Sequence, residues 1–136
     1  MMSETKNPKV ALSLKDAFDL EYARREMEQR RRDEAERRQQ EEDLARATQL
    51  LEALESEPDF LGARALTVEQ RRYTVSIDHK DFRIAAYFEA GKATVTLSDK
   101  RTPATPGMVA PRKQQIVDSV EEALAVMAQF LVDESR

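Results

Sequence analysis

The residues best suited to proton transfer stand together at Asp78-His79-Lys80-Asp81, and His79 is the only histidine in the chain. An imidazole between two carboxylates could serve as a general acid or base near neutral pH. The cluster falls where the sequence predicts a hairpin turn, however, and aspartate is favoured in turns because its carboxylate bonds nearby backbone N–H groups. Glu121 and Glu122 make a second acidic pair, but adjacent positions diverge on a helix and do not converge on one substrate. One histidine and no cysteine cannot fill a His/Cys zinc or iron site. Gly62, Gly91 and Gly107 are isolated from one another, so there is no glycine-rich loop to cradle a phosphate. The expectation is a non-catalytic protein with no metal and no cofactor.

Four cations, Lys100, Arg101, Arg112 and Lys113, could bind phosphate. They bracket a Pro-rich segment before the last predicted helix, whose N-terminus would favour anions. This basic loop carries the alternative expectation, an RNA- or DNA-associated protein. The overall charge does not favour it. Residues 1–62 hold eleven Lys/Arg and sixteen Asp/Glu, a net of −5. The remaining eleven and ten give residues 63–136 a net of +1, for −4 in total. Neither half is the strongly basic domain expected of a nucleic-acid binder. Tyr87 is the only aromatic predicted on the outer sheet face, a poor stacking platform for single strands.

The elements that must position these residues begin with a long helix. Ser13 followed by Asp16 reads as a helix start, with a hydroxyl for an orphan N–H and an acid near the positive end. Nothing breaks the pattern until Pro58 and Gly62. Within it, fifteen of the twenty residues from Arg24 to Asp43 are charged. Glu26/Arg30, Glu28/Arg32, Asp33/Arg37 and Glu34/Arg38 stand at i,i+4 with the acid first, each pair adding about 0.2–0.5 kcal/mol to an unpacked helix. Arg24, Arg31 and Arg38 line up on the helical wheel, but Glu28 and Glu42 interrupt the stripe, so a phosphate backbone would meet mixed charge.

The two ends of this helix differ from its middle. Leu14, Phe18 and Tyr22 share one face, and so do Leu44, Ala47, Leu51 and Leu54. Gln29, Glu36 and Gln40 separate the two stripes. A heptad is not sustained through that polar waist, which argues against a regular parallel coiled coil. Beyond Pro58 the period changes to two. Tyr73, Val75 and Ile77 alternate with polar residues, as do Phe82, Ile84, Ala86 and Phe88, and then Ala93, Val95 and Leu97. Short connections at His79–Asp81 and Glu89–Gly91 suit hairpins. A last helix is predicted with Val117, Val120, Leu124, Met127 and Leu131 as its buried stripe, widened by Ile116, Ala123 and Phe130.

The sequence therefore predicts an α+β protein of order α-β-β-β-α. It has a flexible arm at 1–12, a long charged helix at 13–57 and a small α/β domain at 58–136. That domain comprises strands near 72–78, 82–88 and 93–97, a loop at 99–112 and a helix near 113–133. The longest largely apolar run, Ala123 to Val132, falls far short of the roughly 20 residues that span a bilayer. The absence of cysteine suits a reducing compartment, and the expected location is cytoplasmic. Leu14, Phe18 and Tyr22 are the expected partner-binding residues, because an amphipathic helix end is costly to leave in water. The partner is another protein or a second copy. In the latter case an antiparallel homodimer would bring this end against the Leu44/Leu51/Leu54 end of its mate.

Overall fold

A computed structural model describes residues 13–101 and 111–135. The expected arm at 1–12 and the middle of the expected loop, 102–110, lie outside the described residues. The architecture is α+β: a long helix, a five-stranded antiparallel sheet and a C-terminal helix. In chain order the elements are α1 (Leu14–Glu55), α2 (Pro58–Ala63), β1 (Thr67–Arg71), β2 (Thr74–Asp78), β3 (Phe82–Glu89), β4 (Lys92–Asp99), β5 (Pro111–Val117) and α3 (Val120–Glu134). The chain divides into two compact units, Met1–Arg38 and Gln39–Arg136.

In the first unit, α1 starts where Ser13 and Asp16 predict. The Asp16 N–H donates to Ser13 Oγ at 3.1 Å. The helix holds itself together by local charge. Lys15 pairs with Asp19 at 2.7 Å, Glu26 with Arg30 at 3.7 Å, and Glu34 with both Arg37 (2.7 Å) and Arg38 (3.6 Å).

The second unit is a meander in the order β1-β2-β3-β4-β5. Val75 and Ile77 of β2, Ile84, Ala86 and Phe88 of β3, and Val95 and Leu97 of β4 point to one face and form the core. Ala47 and Leu50 of α1 and Ala123, Val126, Met127 and Phe130 of α3 complete it. The other face alternates through Thr74, Tyr87, Thr94 and Ile116, which stand in one cross-strand row.

The expectation of three strands is corrected to five. β1 went unread because Val68 is its only apolar inward residue. As an edge strand it packs two half-buried side chains, Val68 and Gln70, of which only Val68 is apolar, and it takes its register from β2. Tyr73, expected within a strand, stands in the turn between β1 and β2, where Arg72 adopts φ +53°. β5 covers residues expected to end the loop and open the last helix. Val117 is buried there as a strand residue, and Ile116 is 60 % exposed on the opposite face. Its Pro and basic residues suit an edge, where no second neighbour needs its N–H groups.

The last helix begins at Val120, not near Lys113. Ser119 accepts the Glu122 N–H at 3.1 Å, and Glu122 reaches back to the Asp118 N–H at 2.8 Å. This reciprocal cap satisfies orphan donors at the helix start and fixes where the helix begins. Leu124, expected in the buried stripe, is 38 % exposed, because a start at Val120 centres the buried face on Ala123, Val126, Met127 and Phe130. Ser119→Ala is expected to destabilise the second unit by about 1 kcal/mol. Urea denaturation would measure this, and an unchanged midpoint would show that water caps the helix equally well.

Candidate functional site

Leu14, Phe18 and Tyr22, the expected partner-binding residues, lie at i, i+4 and i+8 on α1, which puts them on one face of the first unit. They are 87 %, 62 % and 58 % exposed. The Phe18 and Tyr22 rings stack with centroids 5.8 Å apart, so part of the ridge is already in a fixed arrangement. Beside it Glu21 accepts from Arg24 Nη2 at 2.6 Å and from Arg25 Nε at 2.7 Å. The hydrogen bonds from Arg24, then Arg25, hold the Glu21 carboxyl down at about 2. These exposed pairs lock local side chains and contribute little else.

In the second unit the Leu44/Ala47/Leu51/Leu54 stripe needs correction. The face of α1 that meets the sheet is centred on Asp43, Ala47 and Leu50, all buried. Leu51 and Leu54 are partly buried beside it, and Leu44 is 42 % exposed. Ala47 is fully covered within its own chain, so only Leu44, Leu51 and Leu54 of the predicted stripe offer surface to a partner.

Sequence reasoning missed two features here. The first is Asp43, a carboxylate only 4 % exposed. It accepts the Ala90 N–H at 2.9 Å and the Gly91 N–H at 3.0 Å, and Gln39 Nε2 donates to it at 3.2 Å. Ala90 and Gly91 form the β3–β4 turn with φ of +52° and +81°. Left-handed conformation at both central residues matches the twist of a two-residue hairpin, and it disfavours alanine. The Asp43 carboxylate offsets that by binding both N–H groups of the turn and tying it to α1.

The second feature is an apolar groove of about 460 Å³ between the last turns of α1, α2 and α3. Leu66, Ile77 and Met127 form its buried floor. Leu54, Phe60, Leu61, Leu124, Leu131 and Val132 form its walls, with Phe60 45 % and Val132 54 % exposed. Among the described residues the only charged group in the lining is Glu57. A sequence signal existed: Phe60 and Leu61 within a Pro-started turn of helix are apolar residues that the long helix cannot bury.

The remaining candidates are occupied by the chain itself. Lys100 Nζ donates to Asp78 at 2.9 Å and to the His79 carbonyl at 3.0 Å. Arg101 bonds Asp99 at 3.1 Å and Glu134 at 2.9 Å. Lys113 pairs with Asp133. Arg112 lies in β5, and its side chain is outside the described residues. The three described cations thus stand against carboxylates rather than around an open cradle. The Asp78–Asp81 segment is a turn closed by the His79 N–H to the Phe82 carbonyl at 3.0 Å. His79 Nδ1 accepts the Asp81 N–H at 3.1 Å, and its ring stacks on Phe82 with centroids 4.7 Å apart, while His79, Asp81, Arg101 and Glu134 also line a cavity of about 280 Å³.

Among the described residues no three His, Asp or Glu side chains group so as to hold a metal ion. No helix among them is long and apolar enough to cross a membrane. Comparison of the chain with protein-family models, with curated proteins and with solved structures finds no match, so its function has to be read from the ridge on α1 and the groove of the second unit.

Proposed function

We propose that this is a non-catalytic interaction protein whose contact residues are Leu14, Phe18 and Tyr22 on the exposed face of α1. The observation that carries the reading is the ridge itself. Three large apolar side chains at helical spacing, two of them stacked, stand in water on a stretch of helix whose neighbouring side chains are joined by ion pairs. Helices of this kind bind by laying i and i+4 side chains into an apolar groove on a partner. The charged stretch that follows keeps the rest of α1 helical and soluble, and we read it as a spacer rather than a recognition surface. The nucleic-acid alternative draws less support, because Lys100, Arg101 and Lys113 would have to give up carboxylate partners before meeting phosphate.

Replacing Leu14, Phe18 and Tyr22 together with alanine is expected to leave the urea midpoint of the second unit unchanged. It should also abolish retention of the specific partner when the full chain is used as bait. A partner set identical for wild type and variant would remove the ridge from the reading.

A further inference from the structure

We infer that the cavity of about 280 Å³ bounded by the end of α2, the β2–β3 turn and the last turn of α3 binds a small zwitterion, an α-amino acid with an aliphatic side chain. The observation that carries this is a pair of opposite charges left without partners in one cavity. Arg64 lines it, and its guanidinium meets only the face of the Phe60 ring, at 5.1 Å from the centroid. No carboxylate among the described residues pairs with it. Asp81 lines it too, and its carboxylate accepts no hydrogen bond among the described residues, with His79 Nδ1 standing 3.9 Å away.

The cavity's other two charges are joined to each other. Arg101 Nη2 donates to Glu134 at 2.9 Å, and the Glu134 side chain is only 5 % exposed. A ligand therefore meets Arg64 and Asp81 as its open contacts. The planar fork of Arg64 suits a carboxylate, and the Asp81 carboxylate suits an ammonium. His79 adds a donor. Its Nδ1 accepts the Asp81 N–H, so the neutral ring carries its proton on Nε2, which has no acceptor among the described residues.

Two arginines and two acids line the cavity, and their formal charges cancel. An anion alone would face both acids, and a cation alone would face both arginines. One charge of each sign on the ligand avoids either conflict. The volume lies just under the roughly 300–1,000 Å³ of common ligand pockets, which suits a molecule of few heavy atoms. Leu66 and Phe82, both buried, and Leu131, partly buried, supply apolar wall for an aliphatic side chain.

The test is calorimetry on the full chain, by titration and by thermal scan, with L-valine, L-leucine and L-isoleucine at millimolar concentration. At least one should bind, and at about a hundred times its Kd it should raise the melting temperature by on the order of 10 °C. Two analogues of the tightest binder, its amide without the carboxylate and its desamino acid without the ammonium, should each bind at least about tenfold more weakly. Arg64→Gln should weaken the amino acid by a similar factor and leave the amide unaffected. Asp81→Asn should weaken the amino acid likewise and leave the desamino acid unaffected. Arg64 is exposed and the Asp81 side chain is 37 % exposed, so both variants should fold, and their urea midpoints would check this. No binding by any of the three amino acids would overturn the inference. So would analogues that bind as tightly as the parent, or binding that both variants leave unchanged, since the ligand would then lie elsewhere.

Discussion

Asp43→Ala is expected to destabilise the second unit by about 3 kcal/mol, which for a domain of this size lowers the melting temperature by roughly 15 °C. The carboxylate accepts two backbone N–H groups of the β3–β4 turn from a nearly fully buried position. Bonds to a charged acceptor contribute more than neutral ones, and removing the acceptor leaves both donors to find water in a turn that faces α1. The turn is also conformationally unfavourable at Ala90, whose φ is +52°. Without the carboxylate, nothing on α1 offsets that cost. Asp43→Asn should lose about half as much, because the amide oxygen can serve one N–H while its NH₂ group opposes the other. Urea denaturation gives the magnitude, and hydrogen exchange gives the location. The Ala90 and Gly91 amides should lose protection first. Unchanged protection at those two amides would show that the turn holds without α1.

Leu50→Ala should have an effect of similar size, about 3 kcal/mol, by a different route. Leu50 is fully buried and is the largest α1 side chain in the core. Truncation removes its transfer free energy and leaves a cavity between helix and sheet that only partly collapses. Leu50→Met, which conserves volume, should cost less than about 1.5 kcal/mol. Leu44→Ala, on the exposed side of the same helix, should cost about 0.5 kcal/mol or less. Asp43 and Leu50 both tie the same stretch of α1 to the sheet. The double variant should therefore cost less than the sum of the two, since the helix end can detach only once. A strictly additive double variant would show that the two anchors act on separate events.

How much of this was legible beforehand differs from element to element. The central strands β2, β3 and β4 were readable because both of their neighbours demand a period-two apolar face. Only their ends needed adjustment, to Thr74–Asp78, Phe82–Glu89 and Lys92–Asp99. The edge strands were not readable from the same signal. The only apolar side chain that β1 inserts is Val68, and β5 reads PRKQQIV, whose two apolar residues fall together at its end. An edge strand has one partner, so its register is imposed by that partner's hydrogen bonds more than by its own pattern. The start of α3 was legible in a different place. Ser119 and Glu122 have the spacing of a reciprocal cap, a more local marker than the run of apolar residues from Ile116.

For the candidate site the division is similar. The ridge could be named residue by residue, because exposure of Leu14, Phe18 and Tyr22 depends on helical periodicity alone. The groove could not, because Leu54, Phe60, Ile77, Met127 and Leu131 come from four different elements that only the packing of sheet and helices brings together. Asp43 illustrates the limit most sharply. In the sequence it closes a charged run and looks like one more solvated acid. In the structure it is buried against a turn 47 residues further along the chain. Local periodicity and charge determine α1, its polar middle and its apolar beginning, since those follow from short-range helix energetics. Which face of α1 meets the sheet, which acid is withdrawn from water and where an apolar groove is left open depend on contacts between distant residues, and only the tertiary fold decides them.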